Sequence, residues 1–425
     1  MQKNVLSSLI AAGLALSAGA AVAQSSVTVY GIGDVSVDRT NRSGSTILNA
    51  TNTALGGLLT SALAKSSTTR VSPSGSAQTS LGIKGVEDLG SGFKGAFVLE
   101  GQLNHDTGAL GQDGRIFGRQ AYVGLTTPYG EVRLGRQYAP IFYSVATVTT
   151  ERLGATDLFT EGGATNNLQI RQDNQISYWI KKEAFTAEVA YSPNAGAYDS
   201  ISSKRASVGD TISTSSGQIL GGATAGNETT GSRGRAAGLF LNYNEGPVVA
   251  SFGYHMNSFD GAVSPLLTAL AGSPISFDRY HVYSLGAKYN LSGVELSATF
   301  GDGQYKLNGT SQDPELQSYA FGVRAPIGKM AYIAQVSQVR FKNYTKGKDT
   351  GLMLGAEYEV SKRTVLYTRL GQVKDSAGNT VQRLAGGPDF IGVLLGYRET
   401  PVFAGASVTP GGRTSTVAMG IRHSF

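Results

Sequence analysis

The last eleven residues of the chain, Ser415 to Phe425, constrain its fold more than any other segment. Val417, Met419, Ile421, His423 and Phe425 share one face, and Thr416, Ala418, Gly420, Arg422 and Ser424 share the other. A period of two is the mark of a strand with one apolar side. Ending such a strand on an aromatic residue suits a membrane barrel, whose closing strand sets a ring at the lipid–water boundary. Phe425 is therefore the candidate carboxyl-terminal signature for membrane insertion.

The front of the chain agrees. Lys3 is the one charge before Asp34, an apolar stretch runs from Val5 to Leu16, and Ala21-Val22-Ala23 precedes Gln24. This pattern reads as a cleaved export signal over residues 1–23, leaving 24–425 as one barrel domain. No later segment approaches the roughly 18 apolar residues of a spanning helix. An exported chain without such a helix can still live in a membrane as a closed barrel, because lipid tolerates no unpaired backbone group.

Composition narrows the chemistry. There is no cysteine, so stability must come from the fold itself rather than from disulfides. The net charge of +6 is spread without a basic run and gives no argument for nucleic acid. No G-x-S-x-G, H-E-x-x-H or Gly-rich phosphate loop occurs, so no catalytic machinery, metal or cofactor is expected.

Alternation recurs through Val27–Asp38, Phe93–Asn104, Val248–Met256, Tyr283–Tyr289 and Val294–Phe300; Ala331–Phe341 mixes both faces. Seven short turns, rich in Gly, Pro, Asn and Asp, fall at 87–92, 127–130, 181–183, 244–247, 290–293, 326–329 and 361–363. Eight long connections fall between them, at about 40–75, 105–115, 139–173, 193–233, 257–279, 306–316, 345–350 and 374–413. Fifteen connections make sixteen antiparallel strands, with every long loop at one rim. A further hairpin within 390–408 would make eighteen, which is also even. Sixteen strands are too many for side chains to fill the interior, which leaves an aqueous channel. Helical spacing at 55–63 and 264–270 marks short surface helices in two loops.

The segments Val27-Thr-Val-Tyr-Gly31, Leu81-Gly-Ile-Lys-Gly-Val-Glu-Asp-Leu89, Arg119-Gln-Ala-Tyr-Val-Gly-Leu125, Leu134-Gly-Arg-Gln-Tyr138 and Gly420-Ile-Arg-His-Ser-Phe425 closely resemble the general porins of Gram-negative outer membranes, especially the beta-proteobacterial type. The resemblance spans the mature chain. It implies a homotrimer of sixteen-stranded barrels with short periplasmic turns and long extracellular loops. In each barrel a third long loop folds into the pore, and the activity is passive diffusion of small hydrophilic solutes and ions. Outer-membrane lipid, lipopolysaccharide and the barrel assembly machinery are the expected partners.

In this reading Glu151, Asp157 and Glu161 form the acidic side of the constriction, on the third loop. Lys84, Arg119, Arg136 and Arg171 form the basic wall. Arg119 and Arg136 sit symmetrically about the turn at Thr127–Gly130, which would set them side by side. An arginine facing mid-bilayer lipid costs roughly 2–4 kcal/mol, so both should face water. Opposed charges across a narrow passage set ion preference. Ser80 stands where the family commonly has an arginine, which weakens the positive wall and leaves a slight lean to anions. Tyr138, Phe142 and Tyr143 keep open a solute-specific porin of the same fold. An outer-membrane barrel enzyme has little support from four scattered histidines.

Overall fold

A computed structural model of the chain describes residues 26–43, 65–73, 75–111, 115–150, 171–193, 195, 234–263, 276–308, 313, 315–343, 347–376 and 412–425. Its strands are β1 (Ser26–Arg42), β2 (Ser66–Pro73), β3 (Ser80–Gly90), β4 (Phe93–Gly101), β5 (Gln120–Thr127), β6 (Gly130–Tyr138), β7 (Arg171–Lys182), β8 (Phe185–Ser192) and β9 (Ala236–Glu245). They continue as β10 (Val248–Val263), β11 (Ser276–Leu291), β12 (Val294–Asn308), β13 (Glu315–Ile327), β14 (Met330–Lys342), β15 (Gly347–Ser361), β16 (Thr364–Ser376) and β17 (Arg413–Ser424). Among the described residues one helix, α1 (Pro140–Ala146), follows β6.

Each strand pairs antiparallel with its neighbour, and β1 pairs with β17, so the sheet closes into a barrel. The lower half of β1 pairs with β3 and its upper half with β2. Thus β2 and β3 are two halves of one wall position, and the barrel has sixteen. β16 pairs directly with β17 from Thr364–His423 to Lys374–Arg413, so no hairpin stands between them in the wall. All seven expected turns are two-residue connections between consecutive strands.

Three boundaries differ from expectation. β2 lies inside the 40–75 segment. Its Ser66–Thr69 stretch has no apolar stripe because it pairs with the upper end of β1, toward the loop rim. β10 and β11 run on to Val263 and back from Ser276, into the 257–279 segment. α1 occupies the start of the 139–173 segment. The patterns at 55–63, 264–270 and 390–408 lie outside the described residues.

The wall is two-sided. Val27, Val123 and Met419 are 68%, 64% and 65% exposed on the outer face, which only hydrocarbon can satisfy. Asp34, Ser36, Asp38, Ser251, Ser284 and Thr416 lie buried on the inner face. On β14 the inner face carries Ala331, Ile333 and Val339 beside Gln335 and Ser337, which explains the mixed pattern there.

Phe425 seals the seam. Its backbone exchanges two 3.1 Å hydrogen bonds with Gly31, and its ring lies over Gly31 on the outer face, where a Cβ would meet it at 2.5 Å. Removing Phe425 deletes both bonds and the ring. The expected outcome is loss of the compact, heat-sensitive barrel band on an unheated detergent gel of membrane fractions. A wild-type band intensity would refute that role.

Candidate functional site: the luminal neck

A buried apolar cluster of Tyr138 and Phe142, with Tyr143 and Ala146 packed on it, lies inside the cylinder where α1 meets the wall. Pro140 starts the helix, and Ile141, Phe142 and Val145 are buried. The chain from 140 to 150 then crosses the inner faces of successive strands. Small residues make room for it: Cβ atoms at Gly238 of β9, Gly253 of β10, Gly286 of β11 and Gly322 of β13 would collide with Pro140, Ser144, Val148 and Thr150. Hydroxyl pairs Ser144–Ser284 and Thr150–Ser297 fasten it, and Ser251 donates to the Ser144 carbonyl. The third loop therefore begins folded against the inside of the wall. Gly286→Leu should push it toward the opposite wall and lower single-channel conductance without abolishing the barrel band. An unchanged conductance would show that the loop is not seated by this contact.

Beside α1, β6 ends in a slipped register. Gly135 has φ +132°, its partner strand carries Asn174 at φ +51°, and pairing shifts between Gly135 and Gln137. Strict alternation from the exposed Leu134 would aim Arg136 at lipid. The bulge turns it inward instead. Its Nε donates to the Gly118 carbonyl at 2.7 Å, and its Nη1 pairs with Asp173. Arg119 escapes the lipid face differently: it precedes β5 and lies buried. The partner of Arg136 across the hairpin is Ala121. The expected side-by-side register is thus two residues off, yet Arg136 still reaches the backbone next to Arg119.

Arg119 donates to Glu100 Oε1 at 2.6 Å, to Gln78 Oε1 at 2.8 Å and to the Tyr138 hydroxyl at 2.7 Å. Burial lowers the pKa of its guanidinium, but Tyr138 and Glu100 outweigh that and hold it above the ordinary arginine value. Arg171 donates to the same Gln78 oxygen at 3.1 Å and lies 4.9 Å from the Tyr138 ring centre. Tyr30 donates to Glu100 Oε2 at 2.8 Å, and Lys84 Nζ sits 5.0 Å over the Tyr30 ring. Arg115 grips Asp173 through both carboxylate oxygens at 3.0 Å. Tyr138 stacks on Phe142 of α1 at 4.3 Å, joining this group to the inward loop.

Lys84, Arg119, Arg136 and Arg171 are thus brought into one connected group. Glu151, Asp157 and Glu161 lie outside the described residues. Sequence reading missed Gln78, Glu100, Arg115 and Asp173. The segment 75–79 that carries Gln78 is the break between β2 and β3, anchored by Asp34, which accepts from the backbone N–H of Gly75, Ser76 and Ala77 at 3.0, 3.0 and 2.7 Å. No local pattern announces that break. Among the described side chains the group holds five cations (Lys84, Arg115, Arg119, Arg136, Arg171) and two carboxylates (Glu100, Asp173), a net of three positive charges.

Further charged groups line the inside. Glu357 of β15 takes hydrogen bonds from Arg324 at 3.1 Å, Arg369 at 2.7 Å and Arg422 at 3.4 Å. Arg133 is held bidentate by Glu131 at 2.9 and 2.8 Å, with Tyr122 and Trp179 at 5.2 and 4.6 Å. Trp179, the single tryptophan of the chain, meets Tyr143 of α1 edge-on at 5.0 Å. Burial pushes the Tyr143 phenol well above its usual pKa, so it stays neutral.

The sequence profile of the Gram-negative porin family matches residues 9–378. The chain belongs to that family, and with it come the outer membrane of a Gram-negative cell and a channel rather than a catalyst. It is 29% identical to outer membrane porin protein 32 of Delftia acidovorans over 432 residues, covering 98% of this chain and 99% of the relative. It is 26% identical over 415 residues to an outer membrane porin protein of Bordetella pertussis, covering 89% and 95%. Among solved structures, an anion-selective porin from Comamonas acidovorans superposes with a TM-score of 0.64 at 26% identity, over 95% of this chain and 100% of that one. An outer membrane protein of Vibrio cholerae solved in trimer form gives 0.58 at 12% identity over 94% and 99%, a likeness of fold alone.

Proposed function

We propose that residues 24–425, after cleavage of the signal at 1–23, form a water-filled channel for passive diffusion of small hydrophilic solutes and ions, with a preference for anions. The observation that carries this is the wall of the neck: among the described side chains it holds five cations against two carboxylates, tied through Tyr138 to a loop folded into the lumen. Such a charge excess in a narrow wet passage raises local anion concentration. In this reading a passing anion follows the wall of Lys84, Arg119, Arg136 and Arg171, and its counter-cation follows the acidic side assigned to Glu151, Asp157 and Glu161 of the third loop, so opposed charges rather than a net charge guide the two ions. The similarity to an anion-selective porin points the same way.

The wall also supports a homotrimer. β5 and β8 have 8 residues each, whereas β10 and β11 have 16. At about 2.6 Å of height per tilted residue, 8 residues reach about 21 Å, short of the roughly 25 Å apolar band. The low side bears an outer groove of about 750 Å³ lined by Val27, Phe97, Leu99, Val123 and Leu134, an apolar hollow for the wall of a second copy. Lipopolysaccharide meets the rest of the outer wall. The barrel assembly machinery reads Phe425 during insertion.

Single-channel recording in planar bilayers tests the channel: large ohmic steps in groups of three are expected. Small steps that one solute blocks would favour the second reading, a solute-specific porin, which the run of Tyr138, Phe142, Tyr143 and Trp179 favours. Trp179 fluorescence separates the two without electrodes. Saturable quenching by one solute at submillimolar concentration belongs to the specific porin, and an unresponsive signal to the general one.

A further inference from the structure

The outer wall of β14–β17 repeats one layered pattern twice, read from the apolar band toward the long-loop rim. On β14 and β15, Val336 faces Leu352, then Gln338 faces Thr350, then Arg340 faces Lys348. On β16 and β17, Leu370 faces Val417, then Gln372 faces Ser415, then Lys374 faces Arg413. All of these share the face of the exposed apolar side chains, the face turned to lipid. The middle rows hydrogen-bond across the strands, Gln338 to Thr350 at 3.4 Å and Gln372 to Ser415 at 3.0 Å.

The top rows place like charges directly opposite one another, which destabilises a strand pair. Lys348 and Lys374 are diagonal neighbours, because Lys374 pairs with Thr350, so the two rows make one patch. Among the described side chains none of the four makes an ion pair with a carboxylate, although Lys342 next to Arg340 pairs with Glu315. Arg340 stands ten residues beyond Met330, at the periplasmic turn. At about 2.6 Å per residue that is about 26 Å, the upper edge of the apolar band. Hydrocarbon, amide–hydroxyl and cation rows thus follow the depth profile of a lipid: acyl chain, linkage, phosphate.

We propose that the patch formed by Arg340, Lys348, Lys374 and Arg413 docks a phosphorylated lipid of the outer leaflet. The phosphates lie between the paired cations and the Gln–hydroxyl rows meet the ester or amide linkages below. Anionic phosphate removes the cross-strand repulsion, and the guanidiniums bind it bidentate. None of the four lines the pore, so conduction does not depend on them.

The test titrates the purified barrel in detergent with a diphosphorylated glycolipid, its dephosphorylated counterpart and inorganic phosphate, counting bound lipid by native mass spectrometry. A surface cation is worth about fivefold in affinity for anionic lipid, so Lys348→Gln or Lys374→Gln should weaken diphosphorylated lipid binding about fivefold. Lys348→Glu or Lys374→Glu, which reverses a charge and gives the opposite arginine a partner, should weaken it about 25-fold, with conductance unchanged as proof of folding. Equal binding of the dephosphorylated lipid, unaltered affinity in the Glu variants, or displacement by inorganic phosphate at the lipid's own concentration would overturn the proposal. So would loss of association between copies with lipid binding intact, which would assign the patch to a subunit contact.

Discussion

Replacing Arg119 and Arg136 together by glutamine should move the zero-current potential in a salt gradient strongly toward cations. Among the described side chains the change lowers the wall of the neck from three net positive charges to one. Through water-like dielectric a unit charge about 6 Å away is worth about 0.7 kcal/mol, roughly threefold in local anion concentration. Two such charges give close to tenfold before screening. Raising the salt should shrink the difference, because the Debye length falls to about 3 Å at 1 M. Glutamine keeps several hydrogen bonds, so the barrel should survive. An unaltered potential would remove both residues from the ion path.

Glu357→Gln should act in the opposite electrical sense and cost stability as well. Glu357 is the shared acceptor for Arg324, Arg369 and Arg422, which come from β13, β16 and the closing strand β17. Breaking a buried ion pair by removing one partner commonly costs 3–5 kcal/mol. Arg324 and Arg422 keep side-chain exposures of 32% and 20%, so water screens part of the loss and about 2 kcal/mol is the expected figure. The compact gel band should then convert at a lower temperature, while anion preference rises because a luminal negative charge is gone. A variant that melts like wild type would show that the three arginines do not depend on Glu357. One that melts lower with unchanged selectivity would place the group outside the ion path.

The outer face was legible in the sequence because hydrocarbon demands an apolar residue at every second position. Val417, Met419 and Ile421 announced β17, and five of the seven turns fell where Gly, Pro or Asn residues stood, the other two falling at Lys181-Lys-Glu183 and Ser361-Lys-Arg363. The inner face was not legible, because water makes no such demand. Gln78, Glu100, Arg115 and Asp173 matter through partners 19 to 93 positions away, which depend on wall register rather than on neighbours. Arg136 shows the limit of alternation: counting by twos from Leu134 aims it at lipid, and only the slip at Gly135 turns it to water. The free-energy cost of an arginine in lipid gave the right side where periodicity gave the wrong one. β2 escaped notice because a strand beyond the hydrocarbon carries no apolar stripe.

The zero-current potential of the unmodified channel across a tenfold potassium chloride gradient tests the central claim most directly. A cation-rich wall along a wet lumen predicts a potential whose sign marks chloride as the more permeant ion, growing as both solutions are diluted. A potential of the opposite sign, or one that dilution leaves at zero, would contradict it.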